Sequence, residues 1–488
     1  MSGWTLEKLQ QALPGSRRQG DAEIAHLQID SREIASGDLF AALPGLKFEG
    51  LDFLPQALKA GAVAVLVAEG QTLPPELPAL FCEDVRRDAG RIAHLLAGDP
   101  TLEWPLVGIT GTNGKTTSAY LLRHLLYTGD REWGLLGSVD YQVGGRSVAS
   151  SHTTPDAARL ALYLAEMAKA NLAGAVMECS SHAIDQKRIA GCRYAGALFT
   201  NLSRDHLDYH KDMERYFEAK CGLLTYLEPG APAVYNMDDP YMSRIGELYE
   251  QSVSYGMQRG ADLGLVKSEC HLHYSRLSCE WKGESLEFTS PLLGEFNVEN
   301  LMGVLALALS LGASASDLSL SLASFPGVPG RMERVGEGID PVILLDFAHT
   351  PDAIEKVAAA CRSLCQGELR ILFGAGGDRD KGKRPLMAKA AQGLADRVIL
   401  TSDNPRSEDP ELILDDVEAG FDPAAASWTR IVDRREAIAV ALSGAGKGDM
   451  ILILGKGHET SQEISGEKFS FDERQIVLDA LSREKGGA

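Results

Sequence analysis

One stretch of the sequence, residues 105–126 (PLVGITGTNGKTTSAYLLRHLL), constrains the fold more than any other. Its apolar residues 106–109 predict a buried strand, the Gly-rich segment predicts a loop, and the amphipathic residues that follow predict a helix. This order of elements is the context that a phosphate-binding loop requires. The loop is short, because Ile109 stands where the common motif has its first glycine. We therefore predict a nucleotide site in which Lys115 reaches the terminal phosphates and the Thr116 hydroxyl ligates Mg²⁺.

Length, charge and cysteine content narrow the class of protein. The 488 residues suggest about three domains. A net charge of −20 disfavours a nucleic-acid partner, because binding a polyanion needs a basic surface. The eight scattered cysteines include no CxxC pair and predict reduced thiols. The first residues form no signal peptide and no apolar run is long enough to span a bilayer, so we expect a cytoplasmic protein.

The chain divides into three predicted domains, at residues 1–100, 101–330 and 331–488. Strands and helices alternate in the last of them, which favours a doubly wound parallel sheet. Polar clusters follow many of the predicted strands, and in such sheets ligands bind outside the carboxyl ends of the strands. We expect the clusters of each domain to share a site; they begin at Gly111, Glu178, Thr200 and Asn236 in the second domain, and at Asp346, Gly374, Ser402 and Gly455 in the third.

Several residues allow two interpretations when they are taken alone. Glu178 suits a Mg²⁺ carboxylate, an N-cap or a surface position. A single histidine such as His206 is more often structural than a ligand. Asn297 is expected either to cap the following helix or to contact a nucleotide base. Lys220 has the pattern of a surface lysine on a helix, and the segment that contains Ser31 has the pattern of a turn.

Short motifs lie along the whole chain and are specific only in combination. They are DSR at 30–32, GDLF at 37–40, TGTNGKTT at 110–117, TTPD at 153–156, ECSSH at 178–182, NLSRDHLDYH at 201–210, FNVEN at 296–300, DFAHTPD at 346–352, GGDRDKGKRP at 376–385, DNPR at 403–406 and GKGHE at 455–459. In this order they resemble the Mur ligase family, and among its members those that add the third residue of the stem peptide.

The resemblance implies an α/β fold with the three-domain Mur ligase architecture. Residues 1–100 would bind the UDP-muramoyl substrate, residues 101–330 would form a central P-loop-type ATPase domain, and residues 331–488 would form a C-terminal Rossmann-like domain that binds the amino acid. The implied reaction is ATP-dependent addition of meso-2,6-diaminopimelate to the D-Glu of UDP-MurNAc-L-Ala-D-Glu through an acyl phosphate. We expect Mg²⁺ as the cofactor, small-molecule substrates alone as partners, no membrane partner, and a monomer.

The resemblance also implies roles for individual residues. The catalytic set would be Lys115, Glu178, His206 and Lys220, with Lys220 carbamylated and with Thr116, Glu178, His206 and Lys220 as metal ligands. ATP would contact Gly111, Thr112, Asn113, Gly114, Lys115, Thr116, Thr117, Asn297, Arg331 and Asp346. The UDP-muramoyl substrate would contact Ser31, Thr153, Thr154, Ser180, Gln186 and Arg188. His152 stands where relatives often carry Asn, and the loop Leu46-Lys47-Phe48 matches another uridine-side contact.

The resemblance also implies the identity of the added amino acid, because family members that add meso-diaminopimelate carry a DNPR motif in this loop, as this sequence does. Diaminopimelate would contact Arg379, Asp403, Asn404, Pro405, Arg406, Gly455 and Glu459. Arg406 offers a planar fork that binds a carboxylate at two points, and diaminopimelate has a distal carboxylate that lysine lacks. A site built for such a pair rejects the analogue without it. Glu459 and the Gly455 carbonyl would then hold the distal ammonium.

Three alternatives remain open from the sequence. The lysine-adding enzyme of the same family is disfavoured by Arg406. A folylpolyglutamate synthetase-like ligase is disfavoured by the N-terminal domain and by the motif at 403–406. A nucleotide switch or motor subunit is disfavoured by the polar clusters of the third domain, which suit a small substrate.

Overall fold

The computed structural model describes residues 3–45, 48–127, 131–336, 340–424 and 427–486, which fall into two compact units. Unit 1 comprises Met1–Leu265, Glu280–Glu284 and Asn300–Ser321, and unit 2 comprises Val266–Cys279, Ser285–Glu299 and Leu322–Ala488. The boundaries predicted after residues 100 and 330 stay predictions.

The strands and helices alternate along most of the chain. The strands are β1 (Trp4–Thr5), β2 (Arg17–Gln19), β3 (Glu23–Ile24), β4 (Leu27–Gln28), β5 (Leu39–Ala41), β6 (Ala64–Ala68), β7 (Ala79–Cys82), β8 (Leu106–Thr110), β9 (Trp133–Leu136), β10 (Asp140–Val143), β11 (Arg146–Ala149), β12 (Gly174–Glu178), β13 (Gly196–Phe199), β14 (Ala233–Asn236), β15 (Ser252–Gly256), β16 (Leu263–Cys270), β17 (Ser275–Trp281), β18 (Glu284–Ser290), β19 (Glu333–Val335), β20 (Val342–Asp346), β21 (Leu369–Phe373), β22 (Arg397–Leu400), β23 (Ser427–Arg430), β24 (Met450–Leu454), β25 (Ser461–Ile464) and β26 (Glu467–Ser470). The α-helices are α1 (Leu6–Ala12), α2 (Leu54–Ala60), α3 (Val85–Leu96), α4 (Lys115–Leu125), α5 (Ala157–Lys169), α6 (Ser181–Asp185), α7 (Leu207–His210), α8 (Met213–Cys221), α9 (Ile245–Leu248), α10 (Glu295–Ser310), α11 (Ala315–Ala323), α12 (Pro351–Leu364), α13 (Arg384–Gln392), α14 (Pro410–Glu418), α15 (Arg434–Leu442) and α16 (Glu473–Gly486). Short 3₁₀ helices span Gly50–Phe53, Pro100–Leu102, Gly222–Tyr226, Met242–Arg244 and Lys381–Lys383.

Unit 1 contains two sheets. The smaller has the order β2-β7-β6-β5-β4, and the larger contains the consecutive neighbours β11-β10-β9-β12-β8-β13-β14-β15. From β9 to β15 the neighbouring strands are parallel. The strand β8 lies between β12 and β13, so the strand order reverses at its carboxyl end. In open α/β sheets this reversal point is where ligands bind, and the Gly-rich loop begins there.

The predicted strand–loop–helix of the phosphate loop is present. All five residues of β8 are buried, because the strand has neighbours on both edges and layers on both faces. The helix α4 begins at Lys115, one residue after Gly114, whose φ is +84°. A Cβ on Gly114 would lie 2.1 Å from Oδ1 of Asn300, so both conformation and space require glycine here.

Unit 2 contains the predicted doubly wound sheet, in the order β19-β20-β24-β21-β22-β23. Every neighbouring pair from β20 to β23 is parallel. Successive residues of a strand point to opposite faces, so Leu344 of β20 packs with α12, α13 and α14, and Ile343 packs with α15 and α16. The hairpin β25-β26 follows β24.

The structure excludes one of the two alternatives for Asn297 and also the surface position that the local pattern suggested for Lys220. The helix α10 begins at Glu295, so Asn297 lies in its first turn and not at its cap, and its Nδ2 donates to the Leu293 carbonyl at 2.9 Å. Lys220 is 1 % exposed instead of lying on the surface. The pattern of α8 alone did not reveal this, because burial there depends on which segments pack around the helix.

Other sequence-based expectations can be checked directly. All eight cysteines are free, as predicted. None of the described helices is both long and apolar enough to cross a bilayer. Leu46 and Lys47, which belong to the expected uridine-side loop, lie outside the described residues.

Candidate active site

The Gly-rich loop of unit 1 is held against the end of β13. Thr112 N donates to the Asn201 carbonyl at 2.8 Å, and the Thr200 hydroxyl donates to the Asn113 carbonyl at 2.7 Å. The Lys115 ammonium lies over its own loop and donates to the carbonyls of Gly111 at 2.9 Å and Thr112 at 2.8 Å. These contacts hold the loop in one conformation, with the Lys115 ammonium lying over it.

Glu178 is fully buried at the end of β12, which excludes the surface alternative. Its Oε2 accepts from the Thr116 hydroxyl at 3.1 Å and from the Ser138 hydroxyl at 3.2 Å, and its Oε1 accepts from Ser138 N at 2.9 Å. A buried carboxylate needs such donors. Ser138 was missed by the sequence analysis, which did not recognise β9 as the strand beside β12; a polar residue just after that strand is the signal that would have found it.

Lys220 reaches the same loop from α8. Its Nζ donates to the Gly111 carbonyl at 2.7 Å and lies 4.5 Å from the centre of the Tyr216 ring. Burial, reinforced by the charge of Lys115, holds the pKa of Lys220 well below its usual value. The two lysines share one carbonyl acceptor, so a neutral Lys220 amine relieves the repulsion between them.

His206 belongs to a cluster of rings at the edge of the loop. Its ring centre lies 4.8 Å from that of His182, and His210 stacks on Tyr216 at 4.9 Å. Burial lowers the pKa of His182 to about 4, and burial also lowers the pKa of His206. These imidazoles are therefore neutral at neutral pH. Among the residues described by the structure, no group of three His, Cys, Asp or Glu side chains forms a metal site by itself.

Five of the six predicted UDP-muramoyl residues belong to one hydrogen-bonded network. The hydroxyl of Thr154 donates to the Glu178 carbonyl at 2.8 Å and accepts from Ser180 N at 3.0 Å. Arg188 donates to the Gln186 side-chain oxygen at 2.8 Å and to the Thr154 carbonyl at 3.4 Å. The hydroxyl oxygens of Thr153 and Ser138 lie 3.0 Å apart.

Ser31 lines a cleft of about 680 Å³ together with His152 and Asp156, which flank Thr153 and Thr154 in the chain. Its hydroxyl donates to the Gln56 side chain at 3.1 Å. The predicted turn at this point is present, because the carboxylate of Asp30 accepts from Arg32 N at 2.9 Å. The side chain of Arg32 also contacts that carboxylate and lowers the pKa of Asp30 to about 2.

Unit 2 places Asp346 at the end of β20, beside Arg331. Asp346 accepts from the backbone N–H groups of Met332 at 2.7 Å and Ala348 at 2.8 Å. Burial nevertheless raises the pKa of this carboxyl above its ordinary value. The Arg331 guanidinium lies 4.6 Å from the centre of the Phe347 ring.

The four neighbouring strands β20, β24, β21 and β22 end at one edge of the sheet of unit 2, and the predicted amino-acid residues follow three of them. Asn404 Nδ2 donates to Glu459 Oε2 at 2.8 Å. Arg406 Nη1 donates to the Gly377 carbonyl at 2.6 Å, and its Nε lies 3.6 Å from Glu463 Oε2. The structure therefore brings the DNPR and GKGHE motifs together.

The other residues predicted to contact diaminopimelate are either exposed or buried behind this strand edge. Arg379 is exposed. Asp403 is buried, and its Oδ2 lies 4.0 Å from Nη1 of Arg434. Gly455 directly follows β24 with a φ of +113°, and Pro405 is buried. The predicted residues therefore surround one strand edge, but they do not all contact one another.

A buried set of charges behind this edge was missed by the sequence analysis. Lys456 and Arg434 are fully buried, and Glu473 is 1 % exposed. Arg434 Nε donates to Glu473 Oε1 at 2.6 Å, and Lys456 Nζ donates to Asn404 Oδ1 at 3.0 Å. Lys456 stands inside the GKGHE motif, so its position in a polar segment after a strand was an available signal.

Comparisons with known proteins identify the family to which the chain belongs. Three family models match: the Mur ligase family catalytic domain over residues 23–88, the Mur ligase middle domain over 109–308, and the Mur ligase glutamate ligase domain over 330–457. The chain is 42 % identical over 472 residues to the UDP-N-acetylmuramoyl-L-alanyl-D-glutamate--2,6-diaminopimelate ligase of Gloeobacter violaceus, with 96 % of each chain covered. It is 43 % identical to the ligase of the same name from Parasynechococcus marenigrum, with 95 % of this chain and 96 % of that chain covered.

A solved structure is similar along the same length. A UDP-N-acetylmuramoyl-L-alanyl-D-glutamate--2,6-diaminopimelate ligase superposes with a TM-score of 0.69 at 35 % identity, over 95 % of each chain. The similarity thus extends over nearly the whole chain and includes all three matched domains. The chain therefore belongs to the Mur ligase family.

Proposed function

We propose that this chain is an ATP-dependent, ADP-forming ligase that adds meso-2,6-diaminopimelate to the D-glutamate of UDP-MurNAc-L-Ala-D-Glu in peptidoglycan precursor synthesis. The observation that carries the proposal is the nearly full-length similarity to ligases named for these substrates. We also propose that it acts as a cytoplasmic monomer.

The reaction has two steps in this proposal. A glutamate carboxylate oxygen attacks the γ-phosphorus of ATP, and ADP leaves. The neutral amine of diaminopimelate then attacks the acyl carbon, phosphate leaves, and the amine gives up a proton as the amide forms. Phosphorylation is needed because a free carboxylate is a poor electrophile.

The Gly-rich loop would bind the ATP phosphates. Its backbone N–H groups and the N-terminus of α4 favour phosphate oxygens. The Lys115 ammonium, which contacts two loop carbonyls in the structure, would turn to the phosphoryl group that is transferred. Negative charge develops there during transfer, so a fixed cation stabilises the transition state.

The donor set near the loop fits Mg²⁺. The Thr116 hydroxyl and the Glu178 carboxylate lie 3.1 Å apart and are hard oxygen donors. Mg²⁺ usually takes one or two carboxylates and completes its shell with other oxygen donors, substrate phosphates and water, which suits a site that contains Glu178 and Thr116. His206 and carbamylated Lys220 would be the further protein ligands. The bound ion would neutralise charge on the phosphates.

Lys220 fits the proposed carbamate. Carbamate formation joins the neutral amine nitrogen to the carbon of CO₂ and releases a proton. Burial keeps this amine neutral by lowering its pKa, and the product is an oxygen anion beside the Lys115 cation. A buried lysine that contacts one carbonyl thereby becomes a ligand suited to a hard metal.

The two organic substrates would occupy the remaining predicted residues. Thr153, Thr154, Ser180, Gln186 and Arg188 would contact the muramoyl dipeptide, and the cleft of Ser31 would accept the uridine end. Arg406 would bind the distal carboxylate of diaminopimelate, and Glu459 its distal ammonium. Asn297, Arg331 and Asp346 would contact the nucleotide.

The test is ADP release in the presence of UDP-MurNAc-L-Ala-D-Glu, with meso-diaminopimelate or L-lysine as the acceptor. We expect turnover with diaminopimelate alone, and its loss by about 100-fold or more in Arg406→Ala, because the site then lacks the partner of a buried carboxylate. The exposed Arg435, changed to Ala, is the control. Equal use of lysine would contradict the assigned specificity, and no turnover with either amino acid would contradict the ligase itself.

A further inference from the structure

The buried ammonium of Lys456 fixes the two side chains that face the proposed amino-acid site. Its Nζ donates to Asn404 Oδ1 at 3.0 Å and to Glu459 Oε2 at 3.2 Å. Asn404 Oδ1 also accepts from Glu463 N at 3.0 Å. Both acceptor positions of the amide oxygen are thus used, so the Asn404 amide nitrogen must point to Glu459, where it donates to Oε2 at 2.8 Å.

Glu459 consequently offers one oxygen to a ligand. Its Oε2 receives Lys456 and Asn404, whereas its Oε1 has no hydrogen-bond partner within the described part of the chain. The side chain of Glu459 is 34 % exposed, while that of Lys456 is 0 % exposed. A ligand can therefore reach Glu459 but not the cation behind it.

The charges at this edge come in pairs. Lys456 is paired with Glu459, and Arg406 Nε lies 3.6 Å from Glu463 Oε2. These four charges sum to zero. Arg406 Nη2 has no partner among the described residues, so one donor direction of the guanidinium remains for a carboxylate. These two pairs present one acceptor and one donor and carry no net charge between them.

We infer that Lys456 is a positioning residue that sets which amino acid the site accepts, by offsetting the charge of Glu459. This inference rests on the proposed function. An amino acid whose distal end carries both an ammonium and a carboxylate uses Glu459 Oε1 and Arg406 together. A side chain that ends in an ammonium alone meets a carboxylate already neutralised by Lys456, and it leaves Arg406 unpaired.

Removing the Lys456 charge tests this directly. Without this charge, the electrostatic potential at Glu459 is more negative. The more negative potential attracts the ammonium of lysine more than the end group of diaminopimelate, because the carboxylate of that end group is repelled. We expect Lys456→Met and the smaller change Lys456→Gln to lower the preference for diaminopimelate over L-lysine about tenfold, since a unit charge at hydrogen-bonding distance is worth at least that much. Loss of structure alone lowers both activities and does not shift their ratio.

Glu459→Gln provides a variant with the opposite expected sign and a partly exposed position. It leaves the Lys456 cation without its counter-charge, so lysine should be rejected more strongly relative to diaminopimelate. Lysine is measured both as an acceptor and as a competitive inhibitor of diaminopimelate, so that weak binding is still quantified. The control is Arg370→Met, which removes another buried cation of unit 2, bound to the carbonyls of Ala441 and Ser443.

The experiment measures ADP release by the full chain with ATP, Mg²⁺ and UDP-MurNAc-L-Ala-D-Glu. The inference would be supported if the preference for diaminopimelate over L-lysine shifts in opposite directions in the Lys456 and Glu459 variants and stays unchanged in Arg370→Met. Wild-type turnover with diaminopimelate and an unchanged ratio in all folded variants would overturn it while leaving the ligase intact. If the Lys456 variants do not fold, the Glu459→Gln ratio decides. No wild-type turnover would overturn the proposed function as well.

Discussion

At the residue scale, His94 makes the stability of unit 1 depend on pH. The side chain is 1 % exposed, its Nδ1 has no hydrogen-bond partner among the described residues, and its Nε2 lies 3.4 Å from the Cys192 sulfur. Burial lowers the pKa of His94 to about 4, from 6.5 in an unfolded chain. Between these two pKa values, therefore, the imidazole of His94 is protonated in the unfolded state but not in the native state.

We expect this histidine to cost stability as the pH falls from about 6.5 to about 4. The free energy of unfolding should drop by about 3 kcal/mol over that range through this residue alone, because one pKa unit corresponds to about 1.4 kcal/mol. Denaturant titrations at several pH values measure the drop. The variant His94→Gln should lack it; an equal pH slope in wild type and variant would show that other groups cause the acid sensitivity.

Lys220 is the second residue whose setting predicts a measurable pH effect. Carbamate formation requires the neutral amine, so activity should fall as the pH is lowered through the depressed pKa of Lys220. The carbamate also requires CO₂. We expect ADP release to fall in CO₂-depleted buffer and to return when bicarbonate is added. Lys220→Ala should be inactive and insensitive to bicarbonate.

The control for this prediction is Lys169→Ala, an exposed lysine at the end of α5. It should keep both the activity and the bicarbonate response of the wild type. Full activity of the wild type after thorough CO₂ depletion, with no response to added bicarbonate, would contradict the carbamate.

At the scale of elements, the glycines after β21 determine how closely two loops approach. A Cβ on Gly377 would lie 1.9 Å from the Pro405 carbonyl oxygen, and Gly377 N donates to the Asn404 carbonyl at 2.9 Å. The glycines of this segment therefore allow the DNPR loop to pack closely against it.

We expect Gly377→Ala to push the DNPR loop outward and to raise the KM for diaminopimelate about tenfold, because a displacement near 1 Å is enough to misplace binding groups. The KM for ATP should change little. Gly446→Ala is the matched control in the same unit, since a Cβ there meets nothing within 4 Å. An unchanged KM for diaminopimelate in Gly377→Ala would mean that the loop adjusts without cost.

At the scale of the whole molecule, a buried ion pair joins two helices of unit 2. Arg434 at the start of α15 donates to Glu473 at the start of α16 at 2.6 Å, and both side chains are at most 1 % exposed. Arg434 also donates to the Leu454 carbonyl at 2.8 Å, at the end of β24. Two helices and the central strand of the sheet therefore depend on one guanidinium.

We expect Arg434→Met to destabilise unit 2 by about 3–5 kcal/mol, because it leaves the Glu473 carboxylate buried without its counter-charge. The double variant Arg434→Met/Glu473→Leu should recover part of the loss. Lys356→Met, which removes an exposed pair with Asp352, should cost less than about 0.5 kcal/mol. Chemical denaturation of the full chain measures all three. A double variant that is less stable than the sum of its single variants would contradict the argument.

The sequence by itself determined the features that depend on short-range pattern. The alternation of strands and helices, the Gly-rich loop between β8 and α4, and the motifs typical of Mur ligases all follow from neighbouring residues and their spacing. The polar clusters at strand ends were also predictable, because parallel strands bring their carboxyl ends to one edge. The α/β fold and the family were therefore available before the structure.

Only the tertiary structure decided which side chains are buried and what they contact. Lys220 has the local pattern of a surface residue, and its burial comes from the Gly-rich loop, which is more than a hundred residues away in the chain. Ser138 and Lys456 became visible as partners of Glu178 and Glu459 through strand order, which local periodicity does not encode. Burial and partners set the charge state of each group, so the chemistry of the site depends on packing between distant segments.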